Sequence, residues 1–186
     1  MTTWKRSAFL LVAVTAALFG TRAHAAQSCV LVLPGVQGES TVVPGGMDVL
    51  SFSSGLANSE GRGVGGFGGA AARVRFRDFQ IIKKIDKASP VLFESAATGQ
   101  HYADATLTCR KAGGAAGAAG QVYLTFEFKV VLVTTIDWSG PGDEGPTEQI
   151  TFEYGTIRMT YRPQNSDGAL GEPVSRCFDV LRNRSC

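Results

Sequence analysis

The residues of this chain that could do chemistry are few. Gly61, Gly63 and Gly66 fit the spacing of a dinucleotide-binding turn. That turn needs a strand before it and a helix N-terminus after it, since the helix end holds the pyrophosphate. Here a β-patterned segment follows at Arg73, so the glycines read as a loop. His101 is the one histidine beyond the N-terminal leader, so a Ser-His-Asp or Cys-His arrangement would have to use it. It lies just past a predicted helix, where a cation suits the helix dipole, and reads as a capping or surface residue. Asp143, Glu144 and Glu148 form a small acidic group without the regular spacing of a calcium loop, and read as a solvated turn. Arg73, Arg75 and Arg77 alternate along one strand face and could meet a cargo or a neighbouring subunit, or simply water. Trp138, at a strand end, reads as a lid on the core. The sequence thus predicts no catalytic, cofactor or metal site.

Cys29, Cys109, Cys177 and Cys186 are the other reactive groups. An even number in an oxidising compartment points to two disulfides, with three pairings open. Cys177 with Cys186 would staple the C-terminal tail to the last strand. Cys29 and Cys109 would then pair across neighbouring strands. The alternative is that these two are small buried thiols, because both stand in phase with apolar residues: Cys29 with Leu31 and Leu33, Cys109 with Leu107.

The compartment follows from residues 1–25. Lys5 and Arg6 precede an apolar run over residues 8–19, and Ala23-His24-Ala25 is a small-x-small cleavage signal. This order reads as a secretory signal peptide cleaved before Ala26. The run is shorter than the ~20 residues that span a bilayer. Removing Lys5, Arg6 and Arg22 leaves fifteen basic against sixteen acidic residues, so the net charge moves from +2 to near −1. No basic excess argues for nucleic acid.

Residues 26–186 are long enough for one core and are rich in Gly, Val, Thr and Phe. Strands are expected over residues 29–33, 47–53, 73–83, 105–111, 122–137, 147–161 and 174–180. Within residues 73–83 the apolar phase switches between Phe76 and Phe79, which predicts a bulge near Asp78. One helix is expected, with Ser89 as N-cap, Pro90 in the first turn and Gly99 as a left-handed end. Leu92, Phe93, Ala96 and Ala97 would form its apolar face. Residues 54–72 and the Ala/Gly tract 112–120 read as flexible connections. Seven strands and one helix suit a barrel or sandwich, which hides its edges.

Ordered blocks along this chain resemble one family. Gly35-Val36-Gln37-Gly38-Glu39-Ser40 and Asp48-Val49-Leu50-Ser51-Phe52 are similar to its first two strands. Val74-Arg75-Phe76-Arg77-Asp78-Phe79 and Lys84-Ile85-Asp86-Lys87-Ala88-Ser89-Pro90-Val91-Leu92-Phe93 resemble its next strand and helix entry. Tyr161-Arg162-Pro163-Gln164 and Gly171-Glu172-Pro173-Val174 continue in order. The family is Hcp, the tube protein of type VI secretion. The resemblance implies a mainly β, two-sheet β-barrel with one flanking α-helix and no catalytic residue. It implies hexameric rings that stack into a tube, with small effectors as possible cargo. It places a ring-stacking role on the loop over residues 54–72, where Ser59, Arg62, Val64 and Phe67 are the candidate contacts. The signal peptide implies export to the periplasm or beyond, with no membrane contact after its removal. Two functions therefore stand beside each other: a structural tube subunit, or an exported relative repurposed as a periplasmic or extracellular binding or scaffold protein. A hydrolase built on the barrel is the remaining reading, and the single histidine weighs against it.

Overall fold

The first strand, β1 (Gln27–Val32), is buried on both faces towards its end, with Val30 on one face and Leu31, beside Cys29, on the other. The computed structural model describes residues 27–59, 73–111, 120–142 and 145–186. The expected signal peptide, Arg62, Val64 and Phe67, the Gly61–Gly66 turn motif, most of the Ala/Gly tract, and Asp143 and Glu144 lie outside the described residues.

β2 (Met47–Val49) and β3 (Ser51–Ser53) were expected as one strand, and they are split at Leu50, which is exposed. The split has a topological cause. β2 pairs with β1, whereas β3 pairs with β6 (Phe79–Lys84). The chain changes partners at Leu50, and the inward phase changes with it, from Met47 and Val49 to Phe52.

β4 (Leu56–Ser59) and β5 (Arg73–Phe76) form a separate two-stranded hairpin. The first part of the expected loop is therefore strand, and Ser59 is in register with Arg73 at the far end of the hairpin. The expected strand over residues 73–83 is two strands in two sheets, not one strand with a bulge. The phase switch between Phe76 and Phe79 marks the crossing from β5 to β6.

Among the described residues the one helix is α1 (Ser89–Thr98). Gly99 ends it at φ 70°, and its N–H donates to the Ser95 carbonyl, as a left-handed C-cap should. Its buried face is Leu92 and Ser95 with Ser89, supported by Ala96, while Phe93 points outward and is 54% exposed. The expected face was rotated by one residue, because Ser95 turns inward to bond both the Val91 carbonyl (2.8 Å) and the hydroxyl of buried Tyr102.

β7 (His101–Lys111), β8 (Gln121–Gly142) and β9 (Gly145–Tyr161) form a long antiparallel meander, and β10 (Val174–Asp179) and β11 (Arg184–Ser185) follow. His101 starts β7 and is exposed. The pairings β1–β2, β3–β6, β6–β9, β9–β8, β8–β7 and β7–β1 close a circuit, because β2 and β3 are consecutive. The result is a barrel whose edges pair with each other. One edge of β9 is shared. Residues 147–152 pair with β6, and residues 156–161 pair with β10. At the handover Val130 takes φ 54°, and the Gly155 carbonyl accepts from the N–H groups of Val180 and Leu181. A Cβ at Gly155 would lie 2.9 Å from Leu181 Cδ1 and 3.1 Å from Val130 Cβ, so the three segments meet closely there.

Phe79 centres the core. Its ring lies 4.8 Å from that of Phe128, 5.4 Å from Phe152 and 5.6 Å from Phe52, in stacked and edge-on pairs.

Candidate functional site

A charged cluster is buried where α1 meets the barrel. Lys83 on β6 and Glu148 on β9 are register partners, and both point inward. Lys83 Nζ lies 2.8 Å from Glu148 Oε1 and 2.6 Å from Asp86 Oδ1. It also donates to the Lys84 carbonyl at 3.0 Å. The Ser89 hydroxyl donates to Glu148 Oε1 at 2.6 Å and accepts from the Asp86 N–H at 3.0 Å. Asp86 Oδ1 in turn accepts from the Ala88 N–H at 2.9 Å, and Trp138 Nε1 donates to Glu148 Oε2 at 3.3 Å. Each charged atom thus has partners that offset its loss of hydration.

This arrangement corrects two expectations. Ser89 is not the N-cap. Ala88 occupies that position with no side-chain cap, and the Ser89 hydroxyl is spent on Glu148 instead. Nor is Glu148 part of a solvated turn, since it is 1% exposed. Trp138 was expected as a lid on the core; it is 55% exposed, bonds the ion cluster through its indole and stacks obliquely on Phe93 at 5.8 Å. Together with Ile85 and Pro90 these rings line a shallow apolar depression of about 330 Å³. The cluster fixes the start of the helix and thereby the place of this outward apolar surface.

The signal for the cluster stands in the sequence. Lys83 shares a phase with Phe79 and Ile81, and Glu148 shares one with Ile150, Phe152 and Tyr154. Two opposite charges on inward phases must find each other or remain unpaired in the core.

The four cysteines are joined as Cys29–Cys109 and Cys177–Cys186. Cys29 and Cys109 face each other in register between β1 and β7, with Cα atoms 4.0 Å apart. Cys177 on β10 ties down the last residue of the chain. The arginine ladder is broken by the change of sheet. Arg75 is exposed on β5, while the Arg77 carbonyl accepts from the hydroxyls of Ser54 (3.3 Å) and Tyr154 (3.1 Å). Burial raises the Tyr154 phenol above its ordinary pKa; the Ser54 hydrogen bond opposes this and the Asp78 charge adds to it.

The barrel is closed by β6 at one end only. At the other, the inner faces of β8, β9 and β10 surround a cavity of about 730 Å³, with the β4–β5 hairpin on its far side. Met159 lines the cavity and is 47% exposed. Among the described residues, no helix is long and apolar enough to cross a membrane.

Comparison with known proteins agrees with this architecture. Residues 30–161 match the family model described as type VI secretion system effector, Hcp. Protein hcp1 of Pseudomonas aeruginosa is 39% identical over 114 residues, which cover 60% of this chain and 68% of that protein. Two solved structures share the fold at 24% identity. A type six secretion system protein superposes with a TM-score of 0.76 over 87% of this chain and 100% of its own. Hcp1 of Salmonella typhimurium does so with a TM-score of 0.69 over 87% and 99%. A barrel closed by β2 and β3, a flanking helix and a sequence match spanning β1 to β9 lead to one assignment: the chain belongs to the Hcp family of type VI secretion proteins.

Proposed function

We propose that this Hcp-family chain is a non-catalytic, ring-forming subunit, exported through the inner membrane and assembling into hexamers that stack. The observation that carries the reading is the family match over residues 30–161. The surface supports it. Val91, Phe93 and Trp138 stand exposed beside α1, and Val130 and Leu181 stand exposed at the β9 handover. Two different apolar patches on one chain suit a heterologous contact, which closes a ring when its rotation is right. The β4–β5 hairpin supports the stacking role of Ser59, Arg62, Val64 and Phe67, because its pairing holds Ser59 and Arg73, which flank the loop, side by side. Small effectors would ride in the ring lumen.

Export through a cleaved leader at residues 1–25 fits two disulfides, which persist in oxidising compartments. In fractionated cells the protein is expected in the periplasm with its sequence beginning at Ala26; recovery only from the cytoplasm with Met1 intact would remove the export step.

A second reading is an exported monomer that binds a ligand or scaffolds a partner, and the cavity at the open barrel end favours it. Light scattering of residues 26–186 after size exclusion separates the two. About six times the monomer mass is expected for a closed ring, and a monomer at high concentration would overturn the ring and turn the search to a partner or ligand.

A further inference from the structure

We infer that the open end of the barrel is a binding site for a free long-chain carboxylate, with the aliphatic chain inside and the head group at Arg176. The cavity of about 730 Å³ lies within the range of small-molecule sites, roughly 300–1,000 Å³, and barrel mouths are a common place for them. Its walls come from separate elements: Phe52 on β3, Leu56 on β4, Phe76 on β5, Phe126 on β8, Met159 on β9 and Phe178 on β10. Leu56 is 61% exposed and Met159 47%, so large apolar side chains stand in water beside an open space. A flexible thioether there can pack against a chain of variable shape.

The cavity is polarised along its length. Phe79, in the core and 1% exposed, contributes to the wall at the inner end. Arg176 contributes at the outer end, where it is the register partner of Met159. Its guanidinium donates to the Ser175 carbonyl at 2.7 Å, and among the described residues no carboxylate pairs with it. A guanidinium has five donors, and most of those of Arg176 stay available. An apolar interior with one unpaired cation at the mouth suits a ligand with one apolar tail and one anionic head. A carboxylate meets guanidinium geometry in two parallel hydrogen bonds. The inference is independent of ring formation, because it uses only contacts within one chain.

Titration calorimetry of the disulfide-bonded chain 26–186 with dodecanoate, below the concentration at which it forms micelles, tests the site. Dodecanol serves as the uncharged probe, and dodecanoate held in phosphatidylcholine vesicles tests whether a lipid surface replaces the free acid. Saturable binding of one free dodecanoate per chain is expected. Arg176→Gln should weaken dodecanoate by about tenfold, the loss of one charge-assisted contact, and leave dodecanol unchanged. Met159→Trp, which fills the cavity, should weaken both probes. Circular dichroism confirms that each variant is folded, and a solution mass recorded on the same samples reports ring formation separately. No saturable binding by a folded chain would overturn the assignment. So would equal affinity for the two probes, an unchanged affinity in Arg176→Gln, or binding only in the presence of vesicles.

Discussion

Lys83 and Glu148 face each other in register on β6 and β9, 2.8 Å apart, with neither side chain in contact with water. A pair withdrawn from water in this way adds little net stability over an apolar pair of similar volume, but removing one partner strands the other. Lys83→Met should therefore destabilise the chain by about 3–5 kcal/mol, and Lys83→Met with Glu148→Leu should recover most of that loss. Urea unfolding midpoints at constant slope measure both. A double variant as unstable as either single one would mean that the charges stabilise the fold as a pair.

Ser89 has the sequence context of a helix cap and the contacts of a network residue. Ser89→Ala should cost about 1–3 kcal/mol, since the Glu148 carboxylate loses a buried donor. A cap alone would predict a cost of similar size. Coupling decides between them. A double-mutant cycle of Ser89→Ala with Glu148→Gln should give about 0.5–3 kcal/mol of interaction energy, whereas strict additivity would return Ser89 to a capping role.

The two disulfides should contribute unequally. Cys29–Cys109 spans a sequence separation of 80 and Cys177–Cys186 one of 9. In the chain-entropy account, those loops correspond to about 4.5 and about 2.6 kcal/mol respectively. Thermal unfolding of Cys29→Ala/Cys109→Ala and of Cys177→Ser/Cys186→Ser should show the larger drop for the first pair. The opposite order would mean that native-state contacts, not loop closure, govern their effect.

Two groups give the stability a pH dependence with opposite signs. The Asp179 carboxylate accepts from the Arg182 N–H (2.9 Å) and from its guanidinium (3.1 Å). The backbone bond is the larger cause holding its pKa below the ordinary 3.8. A lowered folded value means that the unfolded chain binds the proton more tightly. The stabilisation is therefore present above pH 3.8 and is lost as pH falls through the lower folded value. Tyr154 is raised above 10.0 by burial, so its contribution is complete below pH 10.0 and is lost as pH rises through the folded value. Asp179→Asn should flatten the acid limb and Tyr154→Phe the alkaline limb of stability against pH. An acid limb unchanged in Asp179→Asn would place that dependence elsewhere.

Much of this protein was legible in one dimension. In-phase apolar residues marked β1 and β7, and β-rich composition between turn residues marked β8 and β9, because these signals are local to each segment. Pro90 and Gly99 bracketed the helix, because their backbone preferences are local. The family resemblance carried the closed barrel. What the sequence left open were choices of partner. Residues 47–53 and 73–83 each read as one strand, yet Leu50 and the Arg77–Asp78 step are where the chain moves from one neighbour to another. A strand's own pattern records which face is buried, not which edge it pairs with. Ser89 likewise has the local chemistry of a cap, and only the arrival of Glu148, 59 residues later, redirected its hydroxyl. Periodicity is a property of a segment and is written in it. Pairing, charge compensation and the open barrel end belong to residues brought together from distant positions, and only the folded chain decided them.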